Sequence, residues 1–464
     1  MSSLHYASIS EIAALLRKKQ ISSVELLDAQ LSRISALQPK LGAFVHLGAD
    51  AARATAKKFA ENFPAGPLAA IPLTIKSCIE YAGWPVPAGS LLRSNEIPSR
   101  TAPIAERFEN ANAILLGSTN TPEFLMAYET DNRVSGRTSN PWNLAYSSGG
   151  SSGGEAAAIA AGLSFGGIGS DGGGSIRVPA HFCGICGLKP TPGRIPSTGH
   201  IPPGYSSFGW LGVVGPMART VTDLRILFNV LAGPDPDDPF SVPAPTQEIP
   251  AAKARGIRIG ILDSSVAGPA TPESVAAVAH AAKLLGQSGF RVEPFGLHSL
   301  DHALELWWFF FGTVIAQLFA PMVRGKESLL SPIFLDYLEA AKTDEAPTML
   351  DFIAKSAARD TERARILKVM EDVPVLLSPV SSAPAFKHGE GTWRSPCGFR
   401  ETMRHAQWLN LAGFPGLSLP METTPSGLPI GVQLIGRPLE EELLLTVGES
   451  LELSRGPWKP PPQL

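Results

Sequence analysis

The sequence of 464 residues has little cysteine and no excess of positive charge. Its 39 lysines and arginines are balanced by 42 acidic residues, for a formal net charge of −3. A chain without a basic excess lacks the electrostatic footprint of a nucleic-acid-binding protein, so we expect no nucleic acid among its partners. Four cysteines in so long a chain argue against a disulfide framework and favour a reducing compartment. We therefore predict a cytoplasmic protein.

The chain also lacks the motifs of metal and nucleotide sites. Its nine histidines are scattered, and none of them forms the HExxH ligand motif. Neither a Walker A loop nor a dinucleotide fingerprint is present. Cys183 and Cys186 form an isolated CxxC pair without the second ligand pair that a zinc site needs, and we expect them to pack in the core. The sequence thus predicts neither a metal nor a cofactor.

The N-terminal segment has no continuous apolar run of the kind found in a signal peptide. It contains two capping boxes instead, Ser8 with Glu11 and Ser22 with Glu25, and each predicts the start of an amphipathic helix. We expect both helices to serve as scaffold.

The stretch from Ser147 to Ser175 is the most informative part of the chain and reads SSGGSSGGEAAAIAAGLSFGGIGSDGGGS. Ser151 and Ser175 each lie inside a glycine cluster, and an alanine-rich segment of good helix formers separates the two clusters. Glycine permits positive φ and lets backbone N–H groups approach a ligand closely. The second cluster therefore has the composition of an oxyanion hole placed beside a hydroxyl, although a tight turn explains the same glycines equally well.

Lys76 directly follows the apolar segment IPLTI, which predicts the end of a buried strand. Burial disfavours the charged ammonium, lowers its pKa and makes a neutral amine available near neutral pH. A serine hydroxyl is a poor nucleophile until an adjacent base takes its proton. Lys76 is therefore a candidate base for a serine nucleophile.

Together with several other segments, these motifs resemble the amidase signature family of serine hydrolases, and the resemblance covers nearly the entire chain. The further motifs are TNTPEF at 119–124, SIRVPAHFCGICGLKPTPG from 175, GPMARTVTDL at 215–224, LAGFPGLSLP at 411–420 and GLPIGVQLIGRP at 427–438. The resemblance implies that Lys76 is the general base, that Ser151 is the bridging serine after a cis peptide bond, and that Ser175 is the nucleophile. Ser-Lys arrangements are a known substitute for the Ser-His-Asp triad.

The resemblance also implies that backbone N–H groups of Gly172, Gly173 and Gly174 stabilise the tetrahedral oxyanion. Asp171 and Arg177 match positions that support this loop, and a plain buried ion pair is as good an interpretation as direct substrate contact. The chain departs from the family at Gly172, where Thr, Ile or a similar residue is common. We expect this third consecutive glycine to enlarge the space beside the scissile carbonyl.

The fold class that the resemblance implies is α/β, the amidase signature fold, with a central mixed β-sheet flanked by helices on both faces. We expect residues 1–62 to form an N-terminal helical region packed on the core and residues 63–464 to form the amidase signature domain. Within that domain we expect a catalytic core at 66–232, a surface linker at 233–253, a variable substrate-pocket region at 263–370 and a return to the core at 371–464.

The segment from Leu306 to Val323 is almost entirely apolar and is long enough to span a membrane. It contains Thr313, Gln317 and Pro321, and no second span accompanies it. Three interpretations stay open: a buried aromatic helix, a hydrophobic wall of the substrate pocket, and shallow attachment to a membrane. We favour the first two over membrane contact.

Three residues just after the TPEF motif, Leu125, Met126 and Tyr128, are candidates for lining the substrate pocket. They are equally plausible as residues of the core, because the same apolar side chains serve both purposes.

The sequence as a whole predicts a cofactor-independent amidohydrolase that cleaves carboxylic amides through a Ser175 acyl-enzyme. We expect apolar or aryl amides as substrates, with ester or carbamate (urethane) hydrolysis as a side activity. Two alternatives stay open: the amidase subunit of a tRNA-dependent amidotransferase, and a non-enzymatic binding protein on the same fold. The expected partner is a small-molecule amide, with no nucleic acid, and the expected state is a monomer or homodimer.

Overall fold

The structure is a computed structural model that describes residues 4–203, 209–394 and 398–462. Its largest sheet is a mixed β-sheet of eleven strands. Two short two-stranded sheets lie outside it. In chain order the strands are β1 (Phe44–Leu47), β2 (Pro72–Lys76), β3 (Ile114–Thr119), β4 (Asp131–Asn132), β5 (Gly136–Arg137), β6 (Ser139–Asn140), β7 (Asn143–Ser147), β8 (Gly166–Asp171), β9 (Cys186–Lys189), β10 (Val213–Ala218), β11 (Arg258–Leu262), β12 (Arg291–Phe295), β13 (Val375–Pro379), β14 (Gly416–Thr423) and β15 (Pro429–Gly436).

The order of strands in the large sheet is β1-β3-β2-β8-β10-β9-β14-β15-β13-β11-β12. Strands β3, β2 and β8 run parallel to one another, as do β13, β11 and β12, and the remaining pairs are antiparallel. Parallel strands end at the same edge of a sheet, so the last residues of β2 and β8, Lys76 and Asp171, lie at one edge.

Helices flank this sheet, and some of them pack directly against it. In chain order they are α1 (Ile9–Arg17), α2 (Ser23–Leu41), α3 (Ala49–Glu61), α4 (Pro103–Asn110), α5 (Gly153–Ala160), α6 (Arg177–Cys183), α7 (Val221–Leu231), α8 (Ala251–Ala254), α9 (Ser264–Ala267), α10 (Pro272–Gln287), α11 (Asp301–Trp308), α12 (Ile315–Val323), α13 (Pro332–Ala340), α14 (Met349–Val369), α15 (Phe399–Thr402), α16 (Arg404–Ala412) and α17 (Glu441–Arg455). The predicted α/β class, with a central mixed sheet flanked by helices, is confirmed.

The N-terminal helices begin where the sequence predicted. The Ser8 and Ser22 hydroxyls accept hydrogen bonds from the N–H groups of Glu11 and Glu25, and each glutamate reaches back to the N–H of its serine. Both capping boxes are therefore confirmed, and they satisfy N–H groups that the first turn leaves unpaired. The division of the chain at residue 62 stays a prediction.

Helix α5 packs tightly on the sheet because its sequence, GGEAAAIA, contains almost no bulk. All eight residues are buried. On the strand below, a Cβ atom at Gly167 would lie 2.0 Å from Glu155 Oε1 and 2.3 Å from the Thr74 carbonyl oxygen. Glycine in β8 thus lets α5 bring Glu155 and the loop before it, which carries Ser151, close to the end of β2.

The apolar segment flagged in the sequence forms α11, a π-helical segment (Phe309–Val314) and α12. It is the one helix among the described residues that is long and apolar enough to cross a membrane by length and composition. Half of its most apolar stretch is buried inside the fold. This is the burial expected of a helix that packs on a core with one of its faces. Cys183 and Cys186 are also buried and unpaired with each other, so their predicted packing in the core is confirmed.

Candidate active site

Lys76, the last residue of β2, is completely buried and directs its amine to three hydroxyl groups. Its Nζ atom donates hydrogen bonds to Ser151 Oγ at 2.6 Å, Ser152 Oγ at 3.0 Å and Ser170 Oγ at 3.1 Å. Burial lowers the pKa of Lys76 to about 8 against the opposing effect of nearby acidic groups. The side chain therefore offers a neutral amine within reach of Ser151 in a pH range where an exposed lysine is fully charged.

Ser151 and Ser175 both line one cavity at this edge of the sheet. Ser151 precedes α5 and follows a cis peptide bond from Gly150. Ser175 precedes α6, and its carbonyl accepts a hydrogen bond from the Ser152 N–H at 3.1 Å. Ser175 is 7% exposed against 1% for Ser151, so it is the more accessible of the two hydroxyl-bearing residues. The structure thus brings together all three residues of the predicted triad.

Asp171 and Arg177 form a fully buried ion pair below the glycine loop. Arg177 donates from Nε and Nη2 to the two carboxylate oxygens, each at 3.0 Å. Burial alone would raise the pKa of Asp171, but Arg177 and the surrounding hydrogen bonds hold that pKa well below its usual range. Asn410 completes the pair by donating to Asp171 Oδ1 at 3.0 Å and accepting from Arg177 Nη2 at 2.7 Å. Of the two interpretations left open, these contacts favour the ion pair that supports the loop.

Glu155 on α5 is a second buried carboxyl group near the lysine. It accepts hydrogen bonds from Thr74 Oγ1 at 2.5 Å and Thr119 Oγ1 at 2.7 Å. Burial raises the pKa of Glu155 to about 7, and the two threonines and Lys76 oppose that shift. The charge of Glu155 in turn raises the pKa of Lys76, so the two groups are coupled electrostatically.

The Gly174 N–H is not free to bind an oxyanion, which corrects part of the predicted set. It donates to Asp171 Oδ1 at 2.6 Å, while the Ile176 N–H donates to Asp171 Oδ2 at 3.1 Å. The Gly174 N–H thus stabilises the conformation of the loop and is occupied by the buried carboxylate. Gly172 and Gly173 keep their predicted role as a hypothesis, since no such bond engages their N–H groups in the described part of the chain.

Gly172 lines the cavity, and aromatic side chains of the 306–323 segment lie against it and against Gly173, so the larger space expected beside the scissile carbonyl stays a prediction. A Cβ atom at Gly172 would lie 3.3 Å from Phe311 Cε2, and one at Gly173 would lie 2.4 Å from Trp307 Cζ2. The two aromatic rings stack on each other, with centroids 4.6 Å apart and planes at 15°. Glycine at these positions therefore makes room for protein side chains of the 306–323 segment.

The cavity measures about 640 Å³ when its open mouth is included. Among the described lining residues the one carboxylate or ammonium group is Asp171, which Arg177 neutralises. The apolar part of its wall consists chiefly of Leu125, Met126, Leu211, Val213, Phe311 and Ile315. Leu125 and Met126 thus lie where the sequence suggested, and the 306–323 segment contributes both to the core and to the wall.

Tyr128 is not a lining residue, in contrast to the sequence-based prediction. Its side chain is 2% exposed and its hydroxyl donates to the Gly173 carbonyl at 2.6 Å. Gln407 Nε2 lies 3.4 Å from the same hydroxyl oxygen. The phenol therefore turns toward the glycine loop because a buried hydroxyl needs a partner, and the loop carbonyl supplies one.

Sequence reasoning missed several residues that contact the candidate triad or its loop. They are Ser152, Ser170 and Asn410; Trp307 and Phe311 were not singled out either, although both belong to the 306–323 segment that was a candidate pocket wall. Ser152 and Ser170 had a usable signal, because each lies within the serine- and glycine-rich stretch. Trp307 and Asn410 come from distant segments, and their sequence neighbours give no indication of the loop. Among the described residues, no group of three or more metal-ligating side chains converges at this or any other place.

The comparisons with known proteins agree on one family. A family model described as Amidase matches residues 25–445. The A subunit of the glutamyl-tRNA(Gln) amidotransferase of Roseiflexus castenholzii is 36% identical over 97% of this chain and 96% of its own. Two solved structures superpose with TM-scores of 0.86. The first is a 6-aminohexanoate cyclic dimer hydrolase (28% identical, 98% of this chain and 99% of that one), and the second is a bacterial aryl acylamidase of the amidase signature enzymes (25% identical, 97% of each).

These relatives correct the prediction about partners. We expected a small-molecule amide, no nucleic acid and at most a second copy of the chain, but the curated relatives include, by name, subunits of an enzyme that acts on a glutamyl-tRNA. The prediction failed because net charge averages over one chain. It carries no information about a partner subunit that could contact the nucleic acid.

The comparisons and the fold together establish the family. The match extends over most of the chain, the fold is shared, and the site lies on the motifs that carry the resemblance. This chain belongs to the amidase family, that of the amidase signature enzymes.

Proposed function

We propose that the protein hydrolyses a carboxylic amide C–N bond through an acyl-enzyme on Ser175. The observation that carries the proposal is the 2.6 Å contact between Lys76 Nζ and Ser151 Oγ, in a cavity that Ser175 also lines. A buried amine beside a serine hydroxyl is the activated arrangement that a serine nucleophile needs.

In the proposed mechanism, neutral Lys76 accepts the Ser151 hydroxyl proton while Ser151 accepts the Ser175 proton. Ser175 Oγ then attacks the amide carbonyl carbon and forms a tetrahedral intermediate. The proton returns by the same route to the leaving nitrogen as the C–N bond breaks. Water then attacks the ester of Ser175, and the same relay accepts and returns its proton.

The negative oxygen of the intermediate would be stabilised by backbone N–H groups of the glycine loop. The N–H groups of Gly172, Gly173 and Ser175 are the candidates, since the Gly174 N–H donates to Asp171. The Asp171–Arg177 pair supports this loop from below and takes no direct part in the chemistry. Removal of one N–H donor from an oxyanion hole typically lowers the rate by a factor of about 10²–10³.

The curated relatives favour one setting for this chemistry, the amidase subunit of a tRNA-dependent amidotransferase. The support is 36% identity over 97% of the chain to the A subunit of a glutamyl-tRNA(Gln) amidotransferase. In that setting the amide is a nitrogen donor, and the released ammonia passes to an acyl acceptor held by partner subunits.

The lining of the cavity favours a second setting, hydrolysis of amides with an apolar or aryl group, with esters or carbamates as side substrates. Leu211, Phe311 and Ile315 offer van der Waals contact to such a group. Free L-glutamine carries both an ammonium and a carboxylate group, and a site for it would need buried counter-charges. Among the described lining residues, the one such charge is Asp171, already paired with Arg177.

Parallel assays of the purified protein separate the two settings. Ammonia release from L-glutamine, together with co-migration of the native protein with other subunits on size exclusion, supports the amidotransferase setting. Hydrolysis of acyl anilides by the protein alone, without any other chain, supports the apolar amidase. Failure of a fluorophosphonate probe to label Ser175 in folded protein would contradict both and favour a binding protein.

We also infer that the protein acts in the cytoplasm. The support is that Cys78, Cys183 and Cys186 are free thiols, as a reducing compartment allows. Fractionation of the cells that make the protein tests this location, and recovery with the membrane pellet would contradict it.

A further inference from the structure

We propose that Trp307 is a positioning residue that aims the Gly173 N–H at the reacting carbonyl oxygen. The proposal rests on the proposed function, because it takes Ser175 as the nucleophile. It assigns a role in the chemistry to the 306–323 segment, which otherwise serves as core and pocket wall.

The peptide between Gly173 and Gly174 is held at both of its polar atoms. Tyr128 donates its hydroxyl to the Gly173 carbonyl at 2.6 Å, and the Gly174 N–H donates to Asp171 Oδ1 at 2.6 Å. This peptide plane is therefore fixed, and it has no N–H left for a substrate.

In the preceding peptide, between Gly172 and Gly173, the carbonyl oxygen alone has a hydrogen-bond partner among the described residues. The Trp307 indole N–H donates to the Gly172 carbonyl at 3.0 Å. In a trans peptide the C=O and the following N–H point in opposite directions, so the Gly173 N–H points away from the indole. Gly172 lines the cavity, and in the described part of the chain no hydrogen bond engages the Gly173 N–H. The Gly173 N–H, two residues before Ser175, is thus a donor without a partner among the described residues.

Packing keeps the indole in place. Trp307 is 1% exposed and stacks on Phe311, which itself lines the cavity. Its ring lies directly on the loop, since a Cβ atom at Gly173 would come within 2.4 Å of it. Because the indole is buried between Phe311 and the loop, the hydrogen bond to Gly172 is preorganised before substrate binds.

The hydrogen bond has two effects on the donor. It fixes the direction of the Gly173 N–H, and it polarises the amide, which strengthens the N–H as a donor. Both effects stabilise the charge that develops on the substrate oxygen, and neither acts on the neutral ground state to the same degree. Loss of the indole N–H should therefore lower kcat with little change in KM.

The test replaces the indole N–H and retains the ring. In Trp307→Phe we expect a fall in kcat of about tenfold to a hundredfold, below the full cost of losing a donor, with KM within about twofold of wild type. The rate of fluorophosphonate labelling should fall by a similar factor. The control is Trp308→Phe, in the same helix, whose ring packs on Trp393 and under Arg400; its kcat and labelling rate should match wild type.

A second replacement guards against misfolding of the phenylalanine variant. Incorporation of 3-benzothienylalanine at position 307 exchanges the N–H for sulfur in a ring of nearly the same shape, and the same loss of kcat is expected. Wild-type kcat and labelling in either folded variant would overturn the proposal, and so would a rise in KM at unchanged kcat. A wild-type protein that neither labels nor hydrolyses amides would instead contradict the proposed function.

Discussion

The Nζ atom of Lys76 lies 2.6 Å from Ser151 Oγ and joins the end of β2 to the loop before α5. Two other serine hydroxyls, those of Ser152 and Ser170, also accept hydrogen bonds from this amine. Hydroxyl groups satisfy an amine in either protonation state, whereas a carboxylate would hold it as an ammonium. Because these hydroxyl contacts do not hold the amine in its charged form, burial lowers the pKa of Lys76 to about 8.

This pKa predicts the pH dependence of the reaction. Activity requires the neutral amine, so kcat/KM should rise about tenfold per pH unit below pH 8 and level off above it. The measurement is the rate of fluorophosphonate labelling between pH 6 and 10. In Glu155→Gln a nearby negative charge is absent at every pH, so the pKa of Lys76 falls and the midpoint moves to lower pH. A flat profile in wild type would count against Lys76 as the base.

Replacement of the nucleophile should abolish turnover without unfolding the protein. For Ser175→Ala we expect a loss in kcat of about 10⁴-fold or more, by analogy with other serine hydrolases. The melting temperature should stay close to that of wild type, because the substitution removes one hydroxyl from a residue that lines the cavity. Ser426→Ala, in the turn between β14 and β15, is the matched control and should keep full activity. Turnover of Ser175→Ala near the wild-type rate would refute the assignment.

The two glycines of the loop should differ in their tolerance of a methyl group. Gly173→Ala places a Cβ 2.4 Å from the Trp307 ring and 2.8 Å from the Tyr128 hydroxyl, so either the ring or the loop must move. We expect a destabilisation of about 1–3 kcal/mol and a loss of labelling of tenfold or more. Gly172→Ala meets Phe311 at 3.3 Å and should cost less in both measurements. Equal effects of the two substitutions would contradict the packing described for this loop.

The buried ion pair under the loop predicts a large effect on stability. Arg177→Met leaves the Asp171 carboxylate buried without its partner, at a cost of about 3–5 kcal/mol in the free energy of unfolding. Urea denaturation measures this difference. The control is Arg100→Met, whose ion pair with Asp237 is exposed to solvent and should contribute less than about 1 kcal/mol. A loss below about 1 kcal/mol for Arg177→Met would mean that the carboxylate finds another partner.

The candidate triad could be predicted from the chain because its signals are local. Lys76 follows an apolar strand, and Ser151 and Ser175 lie in glycine clusters whose order and spacing resemble one family. The capping boxes at Ser8 and Ser22 were equally readable, since a cap depends on residues three positions apart.

Other parts of the site depend on segments that meet only in the folded protein. Gly174 looked like an oxyanion donor until Asp171 was seen to accept its N–H, and Tyr128 looked like pocket lining until its hydroxyl was found on the Gly173 carbonyl. Both errors have one cause. Sequence patterns locate a polar group but do not say which of several neighbours it will bond.

The amino-acid sequence by itself determined the family through its ordered motifs, and the fold class and the candidate triad followed from the resemblance that those motifs carry. Tertiary structure alone decided which N–H groups of the glycine loop stay free and which aromatic ring lies on them. Trp307 is 135 positions from Gly172, and no local rule relates the two. Their contact exists because the sheet and α5 fix the loop on one side while the 306–323 helix packs over it on the other.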